Sequence, residues 1–364
     1  MPADAPPRMI QLDALRALAI FGVMACHFFA YRITTEGAQG VTLFFVLSGF
    51  LITGILLRCR TYIDRDGQSV LFTLRQFYAR RFLRIFPVYY LALALLWIMH
   101  DKGVRAELGW HLAYLTNIRM AMNARAHYFP HWSIEHFWSL AVEEQFYLVW
   151  PCVVLLVSRR ALLFTVCAMV CAGPAFRMAA LGAHIHQSII STLPFFWLDA
   201  LGLGSLLAVA SDPAFAIRHL IAPARRAAVL AGLVAIAFSF YLGHVNRHFS
   251  ILYAVYYLGY SLVFAWLVSR AAEGFTGIAG KVMSFKPLLW IGAISYGIYV
   301  FHYILRVYTI HGLKPIHSQW LYAFVLSVAS IALAACSFYL FESPINRLKR
   351  HFSYRAAKES QIPG

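Results

Sequence analysis

Residues 16–27 read RALAIFGVMACH, with ten small or apolar residues between an arginine and a histidine. The apolar run extends on both sides over 12–31. A helix needs about 20 mostly apolar residues to cross a bilayer, so this stretch predicts a transmembrane helix. Polar side chains at that depth are costly and are kept for a function or a partner. Eleven residues turn a helix through about 1,100°, within about 20° of three turns. Arg16 and His27 therefore share a face, about 16 Å apart along the axis. Asp13 lies one turn before Arg16 and is placed to pair with it. The plainer readings are an arginine that snorkels at a helix end and a histidine bonded to a neighbouring helix.

The whole composition agrees with that first span. Of 364 residues, 61% are hydrophobic and 13% charged. Soluble domains run at about 45–50% apolar and about 25% charged, so the chain reads as an integral membrane protein. No stretch outside the apolar segments is long enough for a separate soluble domain. The opening residues MPADAPPRMIQ lack the pattern of a signal peptide, and the first apolar segment is expected to stay in the protein. The six cysteines show no metal-ligand spacing and read as small core residues; no metal is expected. A net charge of +16 would suggest nucleic acid in a soluble protein. In a membrane protein it reflects Lys and Arg gathered in cytoplasmic loops, and no nucleic-acid partner is expected.

Ten candidate spans follow: 12–31, 40–57, 83–99, 138–157, 161–180, 192–210, 227–243, 251–269, 287–306 and 319–341. The predicted fold is an all-α bundle of about ten transmembrane helices. Placing the N-terminus inside puts most of the 31 basic residues on the cytoplasmic side, so both termini are expected there. Of the 15 histidines, only His219 and His351 then fall inside. Residues 9–345 form the membrane unit and 346–364 a short basic cytoplasmic tail. The segment 100–137 is too polar to span and is placed outside or partly re-entrant.

Three further polar sets accompany Arg16 and His27. In HFWSLAVEEQFYLVWP (136–151), His136, Ser139, Glu143 and Tyr147 fall on one helical face. Two adjacent carboxylates entering a span need a cavity, a partner or interfacial water. In ISYGIYVFHYILR (294–306), Ser295, Tyr299, His302 and Arg306 share a face, although histidines and aromatic residues also collect at interfaces. In FFVLSGFLITG (44–54), Ser48 and Gly49 permit close approach of a helix or a ligand. The loop between the second and third spans carries seven arginines from Arg58 to Arg84. Positive-inside bias accounts for such a cluster, but RRFLR (Arg80, Arg81, Arg84) at the mouth of a span would also attract a cytosolic polyanion such as coenzyme A.

These sets together resemble the acyltransferase family 3 membrane acyltransferases. The resemblance rests on Arg16–His27, FFVLSGFLI (44–52), WSLAVEEQFYLVWP (138–151), ISYGIYVFH (294–302) and FESPINRL (341–348), in order over residues 9–348. It implies ten membrane helices and transfer of an acyl group, acetyl above all, from acyl-coenzyme A to a hydroxyl. The acceptors it implies are glycans of the cell surface, with some small molecules, and the place is the cell inner membrane. By motif match it carries over Arg16, His27, Ser48, Glu143 and His302.

On that basis His27 is expected to act as general base, held by Glu143, with Ser48 donating to the oxyanion. Arg16, Arg80, Arg81 and Arg84 are expected to hold the phosphates of acetyl- or another acyl-coenzyme A. Tyr299 and His302 are expected beside the acceptor. A covalent acyl-enzyme is left open. The competing class is a proton-coupled transporter or flippase of a glycolipid or anion, in which the histidine and glutamates form a proton relay. Against it, the sequence shows no inverted repeat.

Overall fold

The computed structural model describes residues 9–29, 39–126, 133–215, 217–245, 250–312 and 318–356. In chain order its helices are α1 (Ile10–Phe29), α2 (Gln39–Asp66), α3 (Val70–Ile98), α4 (Lys102–Ala106), α5 (Leu108–Leu112), α6 (Thr116–Arg125), α7 (Phe137–Leu156), α8 (Arg159–Gly182) and α9 (Gln187–Thr192). A 3₁₀ turn (Pro194–Trp197) leads into α10 (Leu198–Ser211). Then come α11 (Arg218–Val245), α12 (Ser250–Glu273), α13 (Gly277–Met283), α14 (Lys286–Ala293), α15 (Ser295–Gly312) and α16 (Gln319–Ser337). A π-turn (Phe338–Glu342), α17 (Ser343–Arg347) and a 3₁₀ turn (Leu348–His351) close the order.

Among the described residues, eight helices are long and apolar enough to cross a membrane, and up to ten if each of two bent pairs counts as one span. The chain is thus a multi-pass, all-helical membrane protein. The bent pairs are α12 with α13 (90°) and α14 with α15 (69°). The sequence predicted one continuous span over 287–306. Instead the helix breaks at Ile294, so that Ser295 and Tyr296 begin a new helix inside the bundle. Residues 101–125 form three short helices, consistent with a segment that does not span. Asp101 caps the first of them by accepting from the Val104 N–H at 2.8 Å.

The stretch 58–82 corrects the expectation of a long loop. The helix of α2 runs on through its arginines to Asp66, and α3 begins at Val70, where the Ser69 side chain accepts from the Phe72 N–H. Only Gly67, Gln68 and Ser69 connect them, and Gly67 supplies the positive φ of +66° that reverses the chain. Arginine is a good helix former, so a polar run can extend a helix past the membrane as readily as end it.

Helices α2 and α10 pack closely through two glycines. A Cβ at Gly49 would lie 2.1 Å from the Leu201 carbonyl oxygen, and one at Gly204 2.1 Å from that of Val46. Only glycine allows two backbones that near. The Ser48–Gly49 pair is thereby resolved: Gly49 faces α10, and Ser48 faces the opposite side, toward α7.

The C-terminal segment, expected as a short basic cytoplasmic tail over 346–364, is described to residue 356. After α16 the π-turn carries the chain into α17, and residues 348–356 return across the ends of α2 and α3. Arg80 Nη1 donates to the carbonyls of Lys349 (2.9 Å) and Phe352 (3.0 Å). Gln68 Nε2 donates to the Tyr354 carbonyl (2.9 Å), and Gln68 Oε1 accepts from the Ala356 N–H (3.0 Å).

Candidate active site

Two cavities lie side by side at the basic end of the bundle and share part of their lining. The wider, about 750 Å³, is a vestibule lined by Arg16, Arg58, Arg80, Arg81, Arg84 and Lys349 among others. The narrower, about 200 Å³, lies deeper and is walled by Ser48, Ser139, Glu143, Tyr147, Tyr296 and Tyr299 together with apolar residues of α2. Arg16, Leu51, Ile55, Arg81 and Arg84 line both, so three guanidinium groups stand where the cavities meet. Asp13 neutralises one of them, through an ion pair with Arg16 across one helical turn.

The face predicted for α7 is the one that lines the deeper cavity. Ser48 Oγ donates to Glu143 Oε1 at 2.6 Å and lies 2.8 Å from the Tyr147 hydroxyl. A serine has one hydrogen, and here it goes to the carboxylate. Tyr147 is therefore the donor in the second contact, and the order runs Tyr147 to Ser48 to Glu143. Ser48, expected with the nearby backbone to donate to an oxyanion, here donates to a carboxylate, the arrangement of a hydroxyl beside a base. One turn earlier, Ser139 is hydrogen-bonded to the Tyr299 hydroxyl on α15, and both hydroxyls also reach the His136 carbonyl, at 3.1 and 3.0 Å.

The histidines form a second unit. His302 Nδ1 lies 2.6 Å from the Tyr299 carbonyl, and its Nε2 lies 2.8 Å from His27 Nδ1. A carbonyl only accepts, so His302 carries its hydrogen on Nδ1 and presents a lone pair on Nε2. His27 must then donate from Nδ1. In the neutral tautomer that follows, His27 Nε2 holds an unprotonated lone pair, the condition a general base must meet. The two rings stack at 5.0 Å between centroids, and the His302 side chain is fully buried.

The expected partnership of His27 with Glu143 is not formed. The hydrogen bond of His27 goes to His302 on α15, and that of Glu143 goes to Ser48 on α2. Neither His27 nor His302 lines either of these two cavities; Tyr299 links the two units, because its side chain walls the deeper cavity while its carbonyl holds His302. Of the four arginines assigned to the donor, Arg81 and Arg84 stand at the junction, Arg16 does so while paired with Asp13, and Arg80 lines the vestibule but uses Nη1 to hold the C-terminal segment. Lys349 and Tyr354, which the sequence reading left in the tail, line the vestibule too. Among the described residues, no group of three or more His, Cys, Asp or Glu side chains is placed to hold a metal ion.

Comparison with known proteins agrees with this architecture. A family model described as an acyltransferase domain matches residues 9–339. The chain is 29% identical over 362 residues to a peptidoglycan O-acetyltransferase, OatA, of Listeria monocytogenes, covering 92% of this chain and 55% of that protein. It is 26% identical over 385 residues to an O-acetyltransferase, OatA, of Staphylococcus aureus, covering 96% of this chain and 59% of that protein. The chain thus spans little more than half the length of these curated relatives. No solved structure matches. The matched region holds every motif from Arg16 to His302, and the chain belongs to acyltransferase family 3.

Proposed function

We propose that the chain is a membrane O-acyltransferase that moves an acetyl group from cytosolic acetyl-coenzyme A to a hydroxyl of a cell-surface glycan of the peptidoglycan type. The observation that carries this reading is the pair of adjoining cavities with Arg81 and Arg84 in the lining of both. Guanidinium groups bind phosphates with directional, charge-assisted hydrogen bonds. An elongated thioester with its phosphates at the junction would reach the deeper cavity with its acyl end. The names of the OatA relatives support acetyl as the group and peptidoglycan as the acceptor class.

In this reading His27 Nε2 takes the proton of the acceptor hydroxyl. The oxygen attacks the thioester carbonyl, the carbon–sulfur bond breaks, and the coenzyme leaves as a thiol carrying that proton. His302 keeps His27 in the required tautomer, much as a carboxylate does in a hydrolase triad. Its role is positioning rather than contact with the acceptor. A two-step variant has one specific observation in its favour, the Ser48–Glu143 contact. There Glu143 takes the Ser48 proton, Ser48 Oγ attacks the thioester carbon, the carbon–sulfur bond breaks and the coenzyme leaves as a thiol carrying that proton; the acceptor oxygen then displaces the acyl group from Ser48, and the acceptor's proton returns to Ser48 Oγ by way of Glu143.

Purified protein in detergent, given carbonyl-labelled acetyl-coenzyme A and peptidoglycan fragments, tests both. Label on the glycan supports the transferase. Label on the Ser48 peptide without acceptor supports the two-step form, and its absence supports direct transfer. Movement of substrate across liposomes with no acyl transfer would replace the enzyme by a transporter.

A further inference from the structure

The vestibule has a wall that comes from the end of the described chain. After α17, Lys349 and Tyr354 project onto the same space as Arg81 and Arg84. The segment is held there by four hydrogen bonds to Gln68 and Arg80, at the turn between α2 and α3 and on α3 itself. Arg355 adds an ion pair with Asp66 at 3.6 Å. The Arg80 guanidinium also lies 4.8 Å from the centre of the Tyr354 ring, fixing that ring in place. The fastening thus uses the backbone of the segment with Gln68 and Arg80, and the Arg355–Asp66 pair, and none of these contacts uses the Lys349 side chain. Among the described residues, no carboxylate forms an ion pair with Lys349.

We infer that residues 348–354 form part of the donor site, with Lys349 binding a phosphate and Tyr354 stacking on the base at the adenosine bisphosphate end of coenzyme A. This rests on the acyl-coenzyme A reading above. Size and chemistry divide the two cavities. The deeper one is narrow and mostly apolar, suited to the pantetheine arm. The vestibule is nearly four times larger and adds Arg58, Arg80 and Lys349 to the three arginines that line both cavities, so it takes the nucleotide. A purine needs a flat partner, and stacking on an aromatic ring is a general way to supply one. Among the described aromatic residues of the vestibule, Tyr354 has a cation beside it, the Arg80 guanidinium.

The test compares acetyl-coenzyme A kinetics in four variants of the full chain. Lys349→Gln should raise the donor KM about tenfold, the size of one lost charge-assisted contact, with kcat and the acceptor KM unchanged. Tyr354→Ala should raise it similarly, and Tyr354→Phe should not, because the ring and not the hydroxyl is used. Arg350→Gln removes the same charge from the neighbouring residue, which does not line the vestibule, and should leave the donor KM unchanged. Equal small effects of Lys349→Gln and Arg350→Gln would overturn the proposal while leaving the enzyme reading intact. A wild-type protein that neither uses acetyl-coenzyme A nor binds coenzyme A would overturn both. A second measurement needs no variant. Coenzyme A, and adenosine 3′,5′-bisphosphate alone, should shield Lys349 of the wild-type protein from reductive methylation, while Lys281 and Lys286 stay reactive. Undiminished methylation of Lys349 with coenzyme A bound would overturn the assignment.

Discussion

At the scale of single residues, the hydrogen-bond order through Tyr299, His302 and His27 makes an ordered prediction. His27→Gln keeps a hydrogen-bonding amide but no base, and should lower kcat by about 10²–10⁴-fold. His302→Leu leaves the His27 base in place but removes the acceptor that fixes its tautomer. It should lower kcat by a smaller factor, leave the donor KM unchanged and alter the pH–rate profile. His302→Gln can still accept from His27 Nδ1 through its amide oxygen, so it should recover much of that loss. Rates of transfer across pH for the three variants check this, and a His302→Leu enzyme with wild-type rate and profile would remove His302 from the mechanism. Each of these residues was legible in the sequence, because helical spacing fixes which side chains share a face. Their pairing was not. Periodicity gives the direction of a face within its own helix, but not which helix it meets, so Glu143 was assigned to His27 when it meets Ser48. His302, expected beside the acceptor, hydrogen-bonds to His27, a contact the spacing did not give.

At the scale of elements, one buried pair had no signal in the motifs. Arg177 on α8 and Asp199 on α10 are 2% and 0% exposed and form a two-armed ion pair, at 3.0 Å and 2.6 Å. Arg177 also bonds the Phe196 carbonyl, and Ser261 on α12 donates to Asp199 at 3.3 Å. Three helices are joined at one polar point inside an apolar bundle. Removing one partner leaves a charge buried without its counter-ion, which costs about 3–5 kcal/mol. Arg177→Met should therefore lower thermal stability in detergent sharply. The double variant Arg177→Met with Asp199→Leu should be less damaged than Arg177→Met alone, since both charges are then gone. A double variant as unstable as the single one would show that shape, not charge pairing, decides this contact. In the sequence each of these residues was a lone polar group in an apolar run, and nothing within either run named its partner. The ends of α2 and α3 were misread for a related reason. Charge predicts where the membrane stops, but helix propensity decides where the helix stops, and the two differ by about two turns at Asp66.

At the scale of the whole molecule, chemistry and direction are separate questions, and the distribution of charge bears on the second. The vestibule lies at the end where α2 and α3 meet, the end that carries Arg58, Arg80, Arg81, Arg84 and Lys349. Positive residues in short loops are retained on the cytoplasmic side. The same end must face the cytosol if acyl-coenzyme A is the donor, because that is where the coenzyme is held. Two independent demands, one from insertion and one from substrate supply, therefore give one orientation. In the proposed orientation the histidine pair would lie toward the opposite face, where a surface glycan would be met, and the acyl group would cross most of the membrane inside the protein rather than on a carrier. Cysteines placed at exposed Arg65 and at Ser188, in a background without the six native cysteines, should react oppositely with a membrane-impermeant maleimide. Ser188 should label in intact cells, and Arg65 only after the membrane is opened. Labelling of position 65 from outside would place the vestibule away from coenzyme A, and the direction of transfer would have to be abandoned together with the donor.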